Sequence, residues 1–159
     1  MRAAQHAHLL LVQLLIAIAA AAGPVVISTW FPDAVQAAYD VAAARMPALD
    51  AVDAGVTFCE VHQCDGTVGW GSHPDTTGEV TLDAIVMDGA TLNTGSVGYL
   101  RGIRTAFAAA RKVMAYSQHT LLAGDGATNF SVLLGLTRES LESNATETGH
   151  AAWVGACVG

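Results

Sequence analysis

The segment Gly78-Glu-Val-Thr-Leu-Asp-Ala-Ile-Val-Met-Asp-Gly89 decides the fold class. Val80, Leu82, Ala84 and Val86 fall on one side of an extended chain and Thr81, Asp83 and Ile85 on the other. This alternation predicts a half-buried strand over residues 79–87. Asp88-Gly89 is a turn pair, and Thr91 to Leu100 is predicted to pair back across it. The period then changes: Ile103, Phe107, Ala110 and Met114 recur at helical spacing, so a helix is predicted over residues 102–116.

Upstream, Val25-Val-Ile-Ser-Thr-Trp30 is a β-branched run ended by Phe31-Pro32 and is predicted to be a buried strand. Asp33 can cap a helix reaching Arg45 that carries Val35, Ala38, Tyr39 and Ala42 on one face, with Pro47 ending it. A second helix is predicted with Asp50 as its N-cap and Leu49, Val52, Val56 and Cys59 on one side. Gly55 costs that helix about 1 kcal/mol relative to Ala, which predicts a second element packed closely against it. Residues 65–78 are rich in Gly, Pro, Asp, Ser and Thr and read as an ordered loop. Downstream, helical pieces are predicted near residues 127–134, 138–143 and 146–154. Strands bracketed by helices place the chain in the α+β or layered α/β class. Three short strands leave a sheet edge unfilled, a pairing liability in a finished fold.

Residues 1–22 are predicted to lie outside that fold. Arg2, His6 and His8 precede the uncharged run from Leu9 to Ala22, which ends in small residues. This is the pattern of a cleavable secretory signal, with cleavage before Gly23. A membrane-spanning helix needs roughly 20 predominantly apolar residues, and this run is shorter and interrupted by Gln13. No membrane association is expected after cleavage. The domain is then residues 23–159.

The whole chain carries a net charge of −7, with 7 basic and 14 acidic residues. Losing Arg2 leaves 6 minus 14, or −8. Arg101, Arg104, Arg111 and Lys112 are assigned to one helix as a solvated face, so nucleic-acid binding is not expected. Cys59 and Cys64 can be bridged across a short turn in an oxidising compartment. Cys157 is left over, which fits an intermolecular partner, a free thiol or a missing stretch of chain. Asn129-Phe-Ser131 and Asn144-Ala-Thr146 are glycosylation sequons for a lumenal protein.

Several chemistries are less well supported. Cys59, His62, Cys64 and His73 could be drawn as a zinc cluster, but Cys-x2-His-x-Cys matches no common structural spacing. No metal or cofactor is therefore expected. No Gly-x-Ser-x-Gly elbow occurs, and Gly66-Thr-Val-Gly69 lacks the lysine of a phosphate loop. Asp83 and Asp88 suit turn-making better than acid and base catalysis.

Read in order, Val25-Val-Ile-Ser-Thr-Trp30, Ala48-Leu-Asp-Ala-Val52, Cys59-Glu-Val-His-Gln-Cys-Asp-Gly-Thr-Val-Gly69, the 78–89 segment, Ala109-Ala-Arg-Lys-Val113 and His119-Thr-Leu-Leu-Ala-Gly124 resemble the glycosylasparaginase family. The resemblance is collinear from Val25 to Cys157. The Leu-Asp-Ala-Val and Met-Asp-Gly pieces are shared with plant-type asparaginases and isoaspartyl peptidases; the Cys-x4-Cys-Asp-Gly stretch points to the glycosylasparaginase branch.

The resemblance implies an N-terminal-nucleophile hydrolase with an αββα sandwich, of which this chain is an incomplete first (α) subunit. The family's precursor cuts itself to free a threonine, whose hydroxyl attacks the side-chain amide of a glycosylated asparagine while its own amino group acts as base. An oxyanion hole stabilises the tetrahedral intermediate. That threonine follows a His-Asp pair beyond the matched region, so no catalytic residue is expected in this chain. Asp75-Thr76 aligns with a surface loop and not with the cut. The implied partners are a glycosylated asparagine substrate, a missing second (β) subunit and further αβ units in an oligomer; the implied destination is the lysosome.

Carried over by motif, Trp30 aligns with a tryptophan lining the substrate pocket, and Thr67 stands where the family has a serine close behind the nucleophile. Ser28 replaces an asparagine before Thr-Trp, and Phe31-Pro32 inverts the family's Pro-Phe order. The corresponding cysteine of Cys157 pairs further along the same subunit. The alternatives are an L-asparaginase or isoaspartyl peptidase, and a non-catalytic secreted disulfide-bonded protein.

Overall fold

A computed structural model describes residues 23–157. The predicted signal at residues 1–22 lies outside the described residues. Helices α1 (Pro32–Ala43) and α2 (Ala48–His62) come first, followed by strands β1 (Leu82–Met87) and β2 (Thr94–Leu100). Helix α3 (Ala106–Tyr116), strand β3 (Leu121–Ala123) and helices α4 (Gly124–Leu133) and α5 (Asn144–Cys157) complete the order.

The deciding segment forms the expected hairpin. β1 pairs antiparallel with β2, Val86 opposite Gly95 and Ala84 opposite Val97. The register breaks between Leu82, opposite Leu100, and Ala84, so β2 carries one extra residue. Tyr99 absorbs it in the left-handed region at φ 49, and Asp83 Oδ1 accepts its backbone N–H at 2.8 Å. A bulge of this kind bends a strand and leaves an amide to be satisfied locally; here the aspartate satisfies it.

β2, α3 and β3 form a βαβ unit, with β3 parallel to β2 and the sheet ordered β1-β2-β3. Leu82, Val86, Val97 and Leu100 meet Phe107, Ala109, Ala110 and Val113 of α3 in the core. A Cβ at Gly95 would collide with backbone of α3 at Ala110, so this glycine sets how closely helix and sheet approach. The other face is uncovered among the described residues: Ile85, Met87 and Leu121 are exposed. The architecture is a mixed α/β arrangement of helices against one side of a small sheet.

Several expectations change. Residues 25–30 are not a strand: the run pairs with no described strand, and Val25 and Ile27 are more than four-fifths exposed. A strand forms only where an edge satisfies its backbone groups, and this run is paired with neither edge strand, β1 or β3. The third strand is instead β3, which the apolar period did not indicate. The helix expected over residues 102–116 begins only at Ala106, because Gly102 sits at φ 65 and breaks the preceding turn. The helix expected over residues 138–143 is irregular; Glu139 N–H there donates to the Gly102 carbonyl at 2.8 Å. α1 enters through Phe31 and Pro32 and not through Asp33, with proline at the first helical turn where its missing N–H costs nothing. α2 likewise starts after Pro47, two residues before Asp50.

The expectation about Gly55 holds. A Cβ there would lie 2.9 Å from the Ala34 carbonyl oxygen and 3.0 Å from the Ala38 Cβ, so α1 and α2 pack backbone to backbone. The buried face of α2 is Ala51, Gly55, Cys59 and Glu60, while Val52 is exposed. The four basic residues do not share one solvated helix face. Arg101 ion-pairs with Glu79 and Asp125, Arg104 with Glu139, and Arg111 with Asp50 and Asp53. Arg104 also lies over the Trp70 ring at 4.2 Å, an orientation the ring quadrupole favours.

Candidate functional site

The loop after α2 is fixed at both ends. Gln63 ends the helix in the left-handed conformation, and Cys59 bonds to Cys64 across that bend. Both sulfurs are used by the bridge, so they are not available as the thiolate ligands a zinc site would need. His62 turns away from them: its ring stacks on Phe58 at 4.2 Å and its Nδ1 lies 2.8 Å from the Phe58 carbonyl oxygen.

Thr67 follows in an Asx turn. Its backbone N–H and hydroxyl both donate to Asp65 Oδ1, at 2.9 and 2.7 Å. Those bonds, the hydroxyl's foremost, hold the Asp65 carboxyl below its ordinary range. Thr67 is exposed, whereas Gly69 is buried against the backbone of Glu60. The loop therefore lies on the end of α2 and presents its hydroxyl outward.

Trp30 is also exposed, at 69%, and stacks on Phe31 with centroids 6.2 Å apart. Ser28 shapes the step before it: the hydroxyl donates to the Trp30 carbonyl at 2.5 Å and accepts the Trp30 N–H at 3.1 Å. Residues 24–28 and Val68 wall one apolar groove of about 540 Å³, whose floor is formed by α1 and α2. The structure thus brings the residues preceding Trp30 and the residue following Thr67 to one surface feature. Neither Trp30 nor Thr67 itself lines it.

The remaining candidates have structural roles. Asp88 closes the hairpin turn through Ala90 N–H and the Thr91 hydroxyl. Asp75 accepts Thr77 N–H, the Thr77 hydroxyl and Glu79 N–H on one oxygen and the Tyr99 hydroxyl on the other. The Asp75-Thr76 step is therefore part of a tied loop. Asn129 and Asn144 are exposed, on α4 and at the start of α5, and Cys157 is an exposed free cysteine. Among the described residues no helix is long and apolar enough to cross a membrane.

Glu60 is the residue that sequence reasoning passed over. It is 4% exposed, Oε1 accepts the Phe107 N–H at 2.8 Å, and Oε2 has no partner. Burial lifts the carboxyl to about 7, against the pull of the Phe107 and Ala106 amides. The available signal was its position: a charge one residue beyond Cys59 in the stripe Ala51, Gly55, Cys59.

Residues 16–157 match the family described as asparaginase. The chain is 47% identical over 132 residues to the N(4)-(beta-N-acetylglucosaminyl)-L-asparaginase of Rattus norvegicus, covering 82% of this chain and 38% of the rat protein. The mouse protein of the same name is 46% identical over the same length, with the same coverage. An Arabidopsis thaliana protein named "Probable isoaspartyl peptidase/L-asparaginase 3" is 49% identical over 114 residues, 71% of this chain and 32% of that protein. The chain spans well under half the length of these relatives.

Proposed function

The chain belongs to the asparaginase family, and on that premise we propose that it is the first-subunit part of an amidohydrolase cleaving the bond between N-acetylglucosamine and asparagine. The nucleophilic threonine lies, on this reading, beyond the region matched here. The observation that carries it is the collinear match of 132 residues to relatives named for that reaction. The geometry supports it in two places. The Cys59–Cys64 bridge belongs to the segment whose resemblance points to the glycosylasparaginase branch, and it anchors the loop that presents Thr67. Trp30 stands exposed, free to meet a substrate on a wall completed by the second subunit.

The same reading gives the uncovered sheet face a purpose. Ile85, Met87 and Leu121 would pack on the second sheet of an αββα sandwich, and residues 25–30 would find there the strand partner they lack. Burying such apolar side chains contributes roughly 1.5–3 kcal/mol each. Residues 1–22 serve in this account as the secretory signal, and the lysosome is the destination. The bridged cysteines and exposed sequon asparagines Asn129 and Asn144 suit that route. Assembly into oligomers of αβ units belongs to the same proposal.

A second reading, free asparagine or isoaspartyl hydrolysis, is favoured by the Arabidopsis relative, whose identity is as high over a shorter stretch. The 159-residue chain, purified and incubated with an asparagine-linked N-acetylglucosamine substrate, is expected to release no product. Turnover by that chain would place the nucleophile within it and overturn the assignment.

A further inference from the structure

Among the described residues, Glu60 Oε2 is the buried side-chain oxygen left without a partner. An orphaned buried polar atom costs the fold its lost hydration and so calls for an explanation. Glu60 sits where four elements converge. It belongs to the last turn of α2, and Oε1 caps the first turn of α3, where Thr105 supplies no side-chain cap. A Cβ at Gly69 would come within 2.8 Å of the Glu60 carbonyl oxygen, so the Thr67 loop rests on the backbone of the turn that carries the carboxyl. A cavity of about 140 Å³ lies beside this turn of α2, lined by Glu60, Val68, Gly69, Leu82, Asp83 and Ala106 among others.

We propose that Glu60 is a proton-operated latch: as a neutral acid it holds α2, the Val68–Gly69 loop and the start of α3 together, and when ionised it loosens them. Any bearing on a nucleophile beside the Thr67 loop rests on the proposed function; the latch itself does not. Neutral, the carboxyl still accepts the Phe107 N–H through its carbonyl oxygen and carries no charge into the core. Ionised, it gains strength at that amide but places an unpaired oxyanion in an apolar setting.

The charged surroundings do not relieve it. Asp83 on β1 is the other ionisable residue lining the cavity, and one of its oxygens is held by Tyr99 N–H. Asp53, nearly two turns earlier on α2, adds a repulsion, although Arg111 of α3 lies 2.6 Å from its carboxylate. What α3 offers Glu60 directly is backbone N–H. With the folded value near 7 and the ordinary value at 4.5, the folded state binds the extra proton between those limits. The stabilisation is complete below about 4.5, declines as pH rises through about 7, and is gone above it. An acidic compartment keeps the latch closed.

The test is amide hydrogen exchange on the 159-residue chain at about pH 5 and about pH 8, corrected for intrinsic rates, with a carbon-13 titration of the glutamate carboxyls. Protection at Phe107 and residues 67–69 is expected to fall between the two conditions by on the order of 10- to 100-fold in the wild type. In Glu60→Gln, a neutral mimic of the acid, protection should stay level between the two conditions; in the wild type the Glu60 carboxyl should titrate near 7. An ordinary titration near 4.5, or the same loss of protection in Glu60→Gln, overturns the latch. If that variant does not fold, the wild-type titration decides alone. Neither readout requires substrate, so failure of the hydrolase reading is separately visible.

Discussion

Glu60 Oε1 accepts the Phe107 N–H at 2.8 Å across 47 residues of sequence, so the first turn of α3 is capped by a side chain from α2. A surrogate of this kind makes the helix start depend on tertiary packing. Glu60→Ala leaves the amide unpaired and a void beside it. At about pH 5 we expect a loss on the order of 2 kcal/mol, combining a lost cap with a small cavity. Urea denaturation monitored by circular dichroism measures it; an unchanged midpoint would show that the bond contributes nothing.

Gly55 and Gly126 separate close packing from helix propensity. Both lie in helices, but only Gly55 faces backbone that a Cβ would strike, while nothing lies within 4 Å at Gly126. Gly126→Ala should raise stability by about 0.5–1 kcal/mol. Gly55→Ala should lower it by about 1–3 kcal/mol, because the overpacked α1–α2 contact outweighs that gain. Thermal melts of the two variants are expected to move in opposite directions.

The Cys59–Cys64 bridge closes a sequence separation of only 5 residues. Chain entropy for so short a loop gives about 2 kcal/mol. Replacing both cysteines by serine should therefore lower stability by about that amount and increase exchange at Asp65–Gly69, with the α3–sheet core unaffected. Residue-resolved exchange on the double variant tests both parts.

Trp30 distinguishes a pocket residue from a packing residue. Because its side chain is 69% exposed, Trp30→Ala should change stability by no more than about 0.5 kcal/mol. In a chimera joining residues 23–157 to the part of the rat relative that they do not match, the same substitution should lower kcat/KM about 10- to 100-fold. A large stability loss with unaltered kinetics would assign Trp30 to the fold instead.

The sequence made the centre of the structure legible and its margins less so. The hairpin over Leu82–Leu100 and the helix carrying Phe107 and Ala110 follow periods that burial on one face enforces, although Val113 is buried there and the expected Met114 only partly. Gly55 was readable because a glycine inside a helix calls for a close neighbour. Residues 25–30 carry strand composition without a strand partner, since composition reports what a segment can bury and not whether an edge is present. β3 was missed because its three residues are too few to display a period. At the site, the Cys59–Cys64 bridge was legible as local sequence. Glu60 was not, since its partner Phe107 and its empty side are set by elements far apart in the chain.

The most direct measurement is the substrate preference of that chimera, once a cooperative melt shows it folded. Product release is compared for N-acetylglucosaminyl-asparagine, free asparagine and an isoaspartyl dipeptide. The account predicts hydrolysis of the glycosylated substrate with the highest kcat/KM of the three. A folded, self-cleaved chimera that hydrolyses only asparagine or the isoaspartyl peptide, or none of the three, would contradict it.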